Sequence, residues 1–229
     1  MTTRNIVIYI FFLIYIFFNA ACKKDKKEDN NDNIVVGPCA DIASVTDVES
    51  NTYTTVEIGQ QCWLKENLKL GTMINGNEIP EDNNIIEKYC FNNDIANCNQ
   101  YGALYAWNEV MKYTNTEGVQ GICPPGFRVP KKSDYQALTA QSGVNGLSIQ
   151  STVNEGGATN TTNFSALLAG HRVFSGDFDY QAYKADFWTS TAYSADSYAY
   201  SMSIIKAGNA IDQTFFHKTL GFSVRCIKN

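Results

Sequence analysis

Cysteine dominates the chemistry this sequence could carry. Six of its seven cysteines, Cys39, Cys62, Cys90, Cys98, Cys123 and Cys226, form an even set spread over the last four-fifths of the chain. None are spaced as Cys-x-x-Cys, and His171 and His217 lie far from any cysteine pair, so tetrahedral zinc ligation is not the chemistry expected. Outside the cytoplasm such thiols pair as disulfides. Nearness along the chain favours Cys39–Cys62 around a strand and Cys90–Cys98 around a small loop. Cys123 and Cys226 are then left to join the middle of the chain to its end.

Other reactive groupings are sparse. The sequence has no Gly-x-Ser-x-Gly elbow and no His-Glu-x-x-His helix, the common signatures of hydrolases and metalloproteases. A cysteine nucleophile would need a free thiol, which an even set of bridges does not leave. Two carboxylates could converge for glycoside hydrolysis, yet no pair is singled out by its position. Asp177, Asp179 and Asp186 are the best candidates for a hard-cation site, and their scatter reads as a solvated loop. His171, within Leu168-Ala169-Gly170-His171-Arg172, reads as a hydrogen-bonding structural histidine. No catalytic residue, metal ligand or cofactor is therefore assigned, and the chain is not expected to be an enzyme. The richer stock is aromatic: Phe174, Phe178, Tyr180, Tyr183, Tyr193, Tyr198 and Tyr200 crowd one stretch. Tyr198 and Tyr200 are expected to point inward with Met202 and Ile204. Tyr180, Tyr183 and Tyr193 lie in loop-like sequence and are the candidate ligand-binding residues, because an apolar ring with a polar tip suits recognition surfaces.

The seventh cysteine belongs to a different pattern. Arg4 precedes Ile6–Phe18, an uninterrupted run of 13 apolar residues. That is short of the roughly 20 needed to span a membrane and fits a signal-peptide core. Asn19-Ala20-Ala21-Cys22 follows and resembles the lipobox of bacterial lipoproteins, apart from Asn19 where a leucine-like residue is usual. The resemblance implies cleavage after Ala21 and lipidation of Cys22, so residues 1–21 are expected to be a signal peptide. Residues 22–38 should be a flexible tether: Lys23-Lys24-Asp25-Lys26-Lys27-Glu28-Asp29 has nothing apolar to bury. Such tethers are similar to those of Bacteroidetes surface lipoproteins, which implies a lipid-anchored place on the outer membrane, facing outward.

Positioning these groups requires a folded body, and the composition supplies one. Of 229 residues, 44% are hydrophobic and only 18% charged, enough for one packed domain. A net charge of −5 argues against nucleic acid as a partner. Tyr53 to Ile58 alternates as a strand with Thr54, Val56 and Ile58 on the apolar face, ending at Gly59. Leu104, Trp107 and Met111 form a helical stripe over 101–113. Ser133-x-x-Gln136 reads as a capping box opening a second helix that Gly143 would stop. Residues 143–163 read as a long loop. Strands are expected at Phe187–Thr191, Tyr198–Ile205, Ile211–Phe216 and Phe222–Ile227. The fold class is α+β: two helices, a long loop region and antiparallel strands braced by disulfides.

Several blocks now stand in order. Val56-Glu57-Ile58-Gly59-Gln60-Gln61-Cys62-Trp63-Leu64-Lys65-Glu66-Asn67-Leu68 comes first. Tyr101-Gly102-Ala103-Leu104-Tyr105-Ala106-Trp107 and Gly121-Ile122-Cys123-Pro124-Pro125-Gly126-Phe127-Arg128-Val129-Pro130 follow. Phe187-Trp188-Thr189-Ser190-Thr191 and Gly221-Phe222-Ser223-Val224-Arg225-Cys226 close the set. In this order they resemble the Fibrobacter succinogenes major paralogous domain, over 39–229. Phe127 stands where members commonly have tryptophan, and Ser50 where they have an acidic residue or glycine. The resemblance implies a single C-type lectin-like domain and does not supply a biochemical role. The Glu/Gln-Pro-Asn/Asp and Trp-Asn-Asp motifs of calcium-dependent sugar binding are missing, since Pro130 precedes Lys131-Lys132 and Trp188 precedes Thr189-Ser190. The expectation is a non-catalytic surface lipoprotein that binds or adheres to an extracellular glycan or protein. The alternatives are a glycan-acting enzyme of unrecognised type or a structural component of envelope assembly.

Overall fold

A computed structural model of the chain describes residues 36–229. The expectations for residues 1–35, lipidation of Cys22 among them, lie outside the described residues.

Among the described residues twelve strands and four short α-helices follow one another. They are β1 Ser44–Thr46, β2 Thr52–Ile58, β3 Gln61–Leu64, β4 Thr72–Ile74, β5 Glu87–Tyr89, α1 Ile95–Tyr101, α2 Trp107–Val110 and β6 Phe127–Arg128. Then come α3 Lys132–Thr139, α4 Gly146–Ile149, β7 His171–Arg172, β8 Phe178–Asp179, β9 Lys184–Ala192, β10 Tyr198–Ile205, β11 Ile211–His217 and β12 Ile227–Lys228. The class is α+β, and among the described residues the named strands pair antiparallel apart from β4–β5. One sheet runs β1-β2-β3-β12-β6, so the chain's last strand slots between the first hairpin and β6. A second sheet runs β11-β10-β9.

Local chemistry explains the first hairpins. Asp47 accepts the backbone N–H groups of Glu49 and Asn51, closing the turn between β1 and β2 as aspartate side chains do. Its other oxygen accepts the Tyr53 hydroxyl at 2.7 Å, and that hydroxyl accepts Lys69 N–H. These partners let Tyr53 be buried, which corrects the expectation that Thr54 and Val56 form the inward face: Thr54 is exposed and Val56 half-buried. Gly59, at φ +59°, then turns β2 into β3.

The helix expected over 101–113 is not there. Gly102, with φ +83°, ends α1, and a Cβ on it would lie 2.4 Å from that of Asn67. Beyond it the chain is extended, bridging Tyr89 through Leu104 and Phe222 through Tyr105, before the single turn of α2. Residues 103–107 are all buried, so the helical stripe reflected burial on every side rather than an amphipathic face. The second helix opens earlier than its capping box implied. Asp134, not Gln136, reaches back, accepting Lys131 N–H at 2.6 Å while paired with Arg128. It ends at Thr139, before Gly143. Within the expected loop, Asn145 caps the short helix α4 by accepting Leu147 and Ser148 N–H groups.

Disulfides join Cys39–Cys62, Cys90–Cys98 and Cys123–Cys226. One apolar cluster gathers all three around Trp107, Trp188 and Tyr105, and a second centres on Trp63, Tyr135, Phe164, Phe187 and Met202. Between them runs Arg225, fully buried. Its guanidinium donates to Asn67 Oδ1 through Nε and Nη2 (3.1 and 2.6 Å) and to the Leu64 and Phe164 carbonyls. The rings of Phe164 and Phe187 lie 4.5 and 5.6 Å from its carbon. Burial pushes this guanidinium down to about 10, and its neutral partners meet its donors without adding a counter-charge.

Candidate functional site

The β11-β10-β9 sheet positions the exposed aromatics. Register aligns Tyr198 with His217, Tyr200 with Phe215, Met202 with Gln213 and Ile204 with Ile211, so these residues share one face. Helix α3 covers that face through Tyr135 and Leu138, which pack with Met202 and Ile204. Eight helical residues span about 12 Å, whereas the eight of β10 span about 26 Å. The helix therefore runs out midway. Lys132, in its first turn, sets its ammonium 3.8 Å above the Tyr200 ring, and the remainder of the face is open.

On that open half the rings form a strip. Tyr193 stacks on Phe215 with centroids 3.8 Å apart and planes 5° from parallel. Tyr198 meets Phe215 and His217 edge-on at 5.9 and 5.4 Å, and Phe174 meets His217 at 5.8 Å. Tyr200 packs edge-on against Tyr193 and Phe215. Phe174 is 72% exposed, Tyr193 52% and Tyr198 40%. The register of β9 against β10 shifts between Ala199 and Ser201, leaving Thr189–Thr191 opposite Tyr200 alone. Such a bulge bends the strand, and Tyr193 follows directly from it.

Of the three tyrosines singled out by sequence, the structure brings only Tyr193 to this strip. Tyr180 and Tyr183 lie on the β8–β9 connection, 6.1 Å apart, and Tyr180 packs against His171. Both are half exposed, and among the described residues no ring contact joins them to Tyr193. Tyr198 and Tyr200 were expected in the core. They do share a face with Met202 and Ile204, but the short helix leaves their end uncovered. Phe215 and His217 were missed; only the pairing of β11 with β10 reveals them.

His171 Nδ1 bonds Asp186 Oδ2 at 2.7 Å, and Asp186 Oδ1 takes Lys184 Nζ at 2.9 Å and the Ser203 hydroxyl. Burial would raise the Asp186 carboxyl, but His171, Lys184 and Ser203 outweigh it and hold it below the ordinary carboxylate range. Serine, histidine and aspartate are present here without the geometry of a nucleophilic triad, because Ser203 donates to the aspartate instead of to the imidazole. Asp177 and Asp179 are exposed while Asp186 is buried, so the three carboxylates do not converge. Among the described residues no group of three or more His, Cys, Asp or Glu could hold a metal ion. A wide cleft of about 510 Å³, lined by Tyr101, Val153, Asn154, Leu167 and Lys206, carries one loose ion pair, Glu155 with Lys206 at 3.6 Å.

Searches of curated proteins and of solved structures give no significant match. The model of the Fibrobacter succinogenes major domain matches residues 56–228, from the middle of β2 to the end of β12. The chain thus belongs to the Fibrobacter succinogenes major domain family.

Proposed function

We propose that this chain is a non-catalytic, surface-exposed lipoprotein, anchored through Cys22 to the outer membrane, whose C-type lectin-like domain binds an extracellular glycan. The observation that carries the binding role is the partly exposed strip Tyr200–Tyr193–Phe215–Tyr198–His217–Phe174. Each ring left partly in water forgoes part of the roughly 1.5–3 kcal/mol that full burial of a large apolar side chain brings, and a contiguous aromatic patch of this kind marks an interaction surface. Sugar rings suit it because their apolar faces stack on aromatic faces while tyrosine hydroxyls meet their polar edges. The return of β12 beside the first hairpin and the irregular segments around short helices support the lectin-like reading.

The test is a glycan array probed with the purified chain, alongside variants Tyr193→Ala and Tyr198→Ala. Binding that falls at least tenfold in either variant, with thermal unfolding unchanged, is the expected result. Undiminished binding refutes the strip. Capture of a protein partner with no glycan bound would favour adhesion to protein, and sugar release from polysaccharide would favour an enzyme.

A further inference from the structure

Beside the strip lies a cavity with two buried cations. Arg172 and Lys218, each 4% exposed, line a space of about 50 Å³ together with Tyr89, Asn108, Tyr113 and Thr219. Arg172 donates Nε to the Gly76 carbonyl and Nη1 to the Thr219 carbonyl, and lies over the Tyr89 ring. Lys218 donates to the Ala195 carbonyl and Asn115 Oδ1, with its ammonium 4.0 Å from the Trp107 ring. All these partners are neutral. Among the described residues neither cation forms an ion pair, and the acidic groups nearby, Asp196, Glu109, Glu87, Glu78 and Asp82, act on this region without pairing with either cation. The Tyr113 hydroxyl is buried, and burial first and the neighbouring Glu109 carboxylate second raise its pKa above the ordinary phenol range.

The neutral partners of Arg172 and Lys218 accept their hydrogen bonds but do not offset their charges, so an anion entering the cavity gains an attraction that the packing leaves open. A cavity of this size has room for a small group such as a carboxylate or sulfate. Thr219, on the cavity wall, bonds His217 of the aromatic strip at 2.8 Å, and Phe174 lies two residues beyond Arg172. We propose that Arg172 and Lys218 receive the acidic group of an anionic saccharide whose rings lie along the strip. This rests on the glycan-binding reading and adds its substrate class.

The experiment titrates the purified full chain with a uronic-acid oligosaccharide and with its neutral counterpart at low ionic strength. The acidic sugar should bind about tenfold more tightly or better, as expected for a charge-assisted contact. That preference should vanish in Lys218→Met, survive in Lys218→Arg, and shrink with added salt. Tyr193→Ala should weaken both sugars alike. Equal affinity for the two sugars, or a preference that persists in folded Lys218→Met, overturns the anion site while leaving the strip standing. If neither sugar binds, the glycan reading fails, and inorganic sulfate then tests the cavity alone. A sulfate-dependent change in tryptophan fluorescence that Lys218→Met removes supports the cavity, since Trp107 lies against that ammonium; no change with sulfate overturns it.

Discussion

Removing the three disulfides one at a time, by replacing both cysteines of each with alanine, should destabilise the protein in the order of the chain each one closes. The sequence separations are 8 for Cys90–Cys98, 23 for Cys39–Cys62 and 103 for Cys123–Cys226. The loop-closure entropy restored to the unfolded chain gives losses of about 2.5, about 3.4 and about 4.7 kcal/mol respectively. All six cysteines are at least 95% buried, so the holes left by the sulfurs are similar and the differences isolate loop length. Against a typical total of about 5–15 kcal/mol, loss of Cys123–Cys226 brings the domain near its limit. Urea unfolding of the three double variants, followed by tryptophan fluorescence, reads the order directly. The slope with denaturant should also steepen most for the variant lacking Cys123–Cys226, whose unfolded chain expands most. If deleting Cys90–Cys98 costs as much as deleting Cys123–Cys226, the entropy argument is wrong and local packing governs these bridges.

Asn67→Ala should cost about 3 kcal/mol or more, because it strips Arg225 of two hydrogen bonds inside the core; chemical denaturation checks this, and a loss below 1 kcal/mol, by the same principle, would mean that other groups satisfy Arg225. The depressed Asp186 carboxyl contributes stability that is present above about pH 4, its unfolded value, and lost as pH falls through the lower native value. Asp186→Asn should therefore flatten the acid limb of a plot of urea midpoint against pH. Cys22→Ser should move the protein from the membrane fraction to the soluble fraction, as read by immunoblot, if lipid is its anchor.

How far the sequence could be read depended on how local each signal was. The edges of β10 and the start of β11 follow from alternation along single segments, and proximity along the chain was enough to suggest which cysteines meet. The segment 101–113 misled because Leu104, Trp107 and Met111 have helical spacing whether they cover one face or are buried on all sides. The pairing of Leu104 with Tyr89 and of Tyr105 with Phe222, contacts made only on folding, decides between these. Tyr198 and Tyr200 misled for a similar reason, since their face was legible but the reach of α3 across it was not.

Residue order alone determined the family blocks, the even cysteine set, the α+β class and the aromatic richness of 174–200. Tertiary structure decided which rings stand together, because the Tyr198–His217 and Tyr200–Phe215 alignments come from strand pairing between separate segments. It also decided that Arg172 and Lys218 share one cavity with no acidic partner paired to either among the described residues. Covalent pattern and periodicity are properties of the chain itself, whereas exposure and charge compensation are relations between distant residues that exist only once the chain has packed.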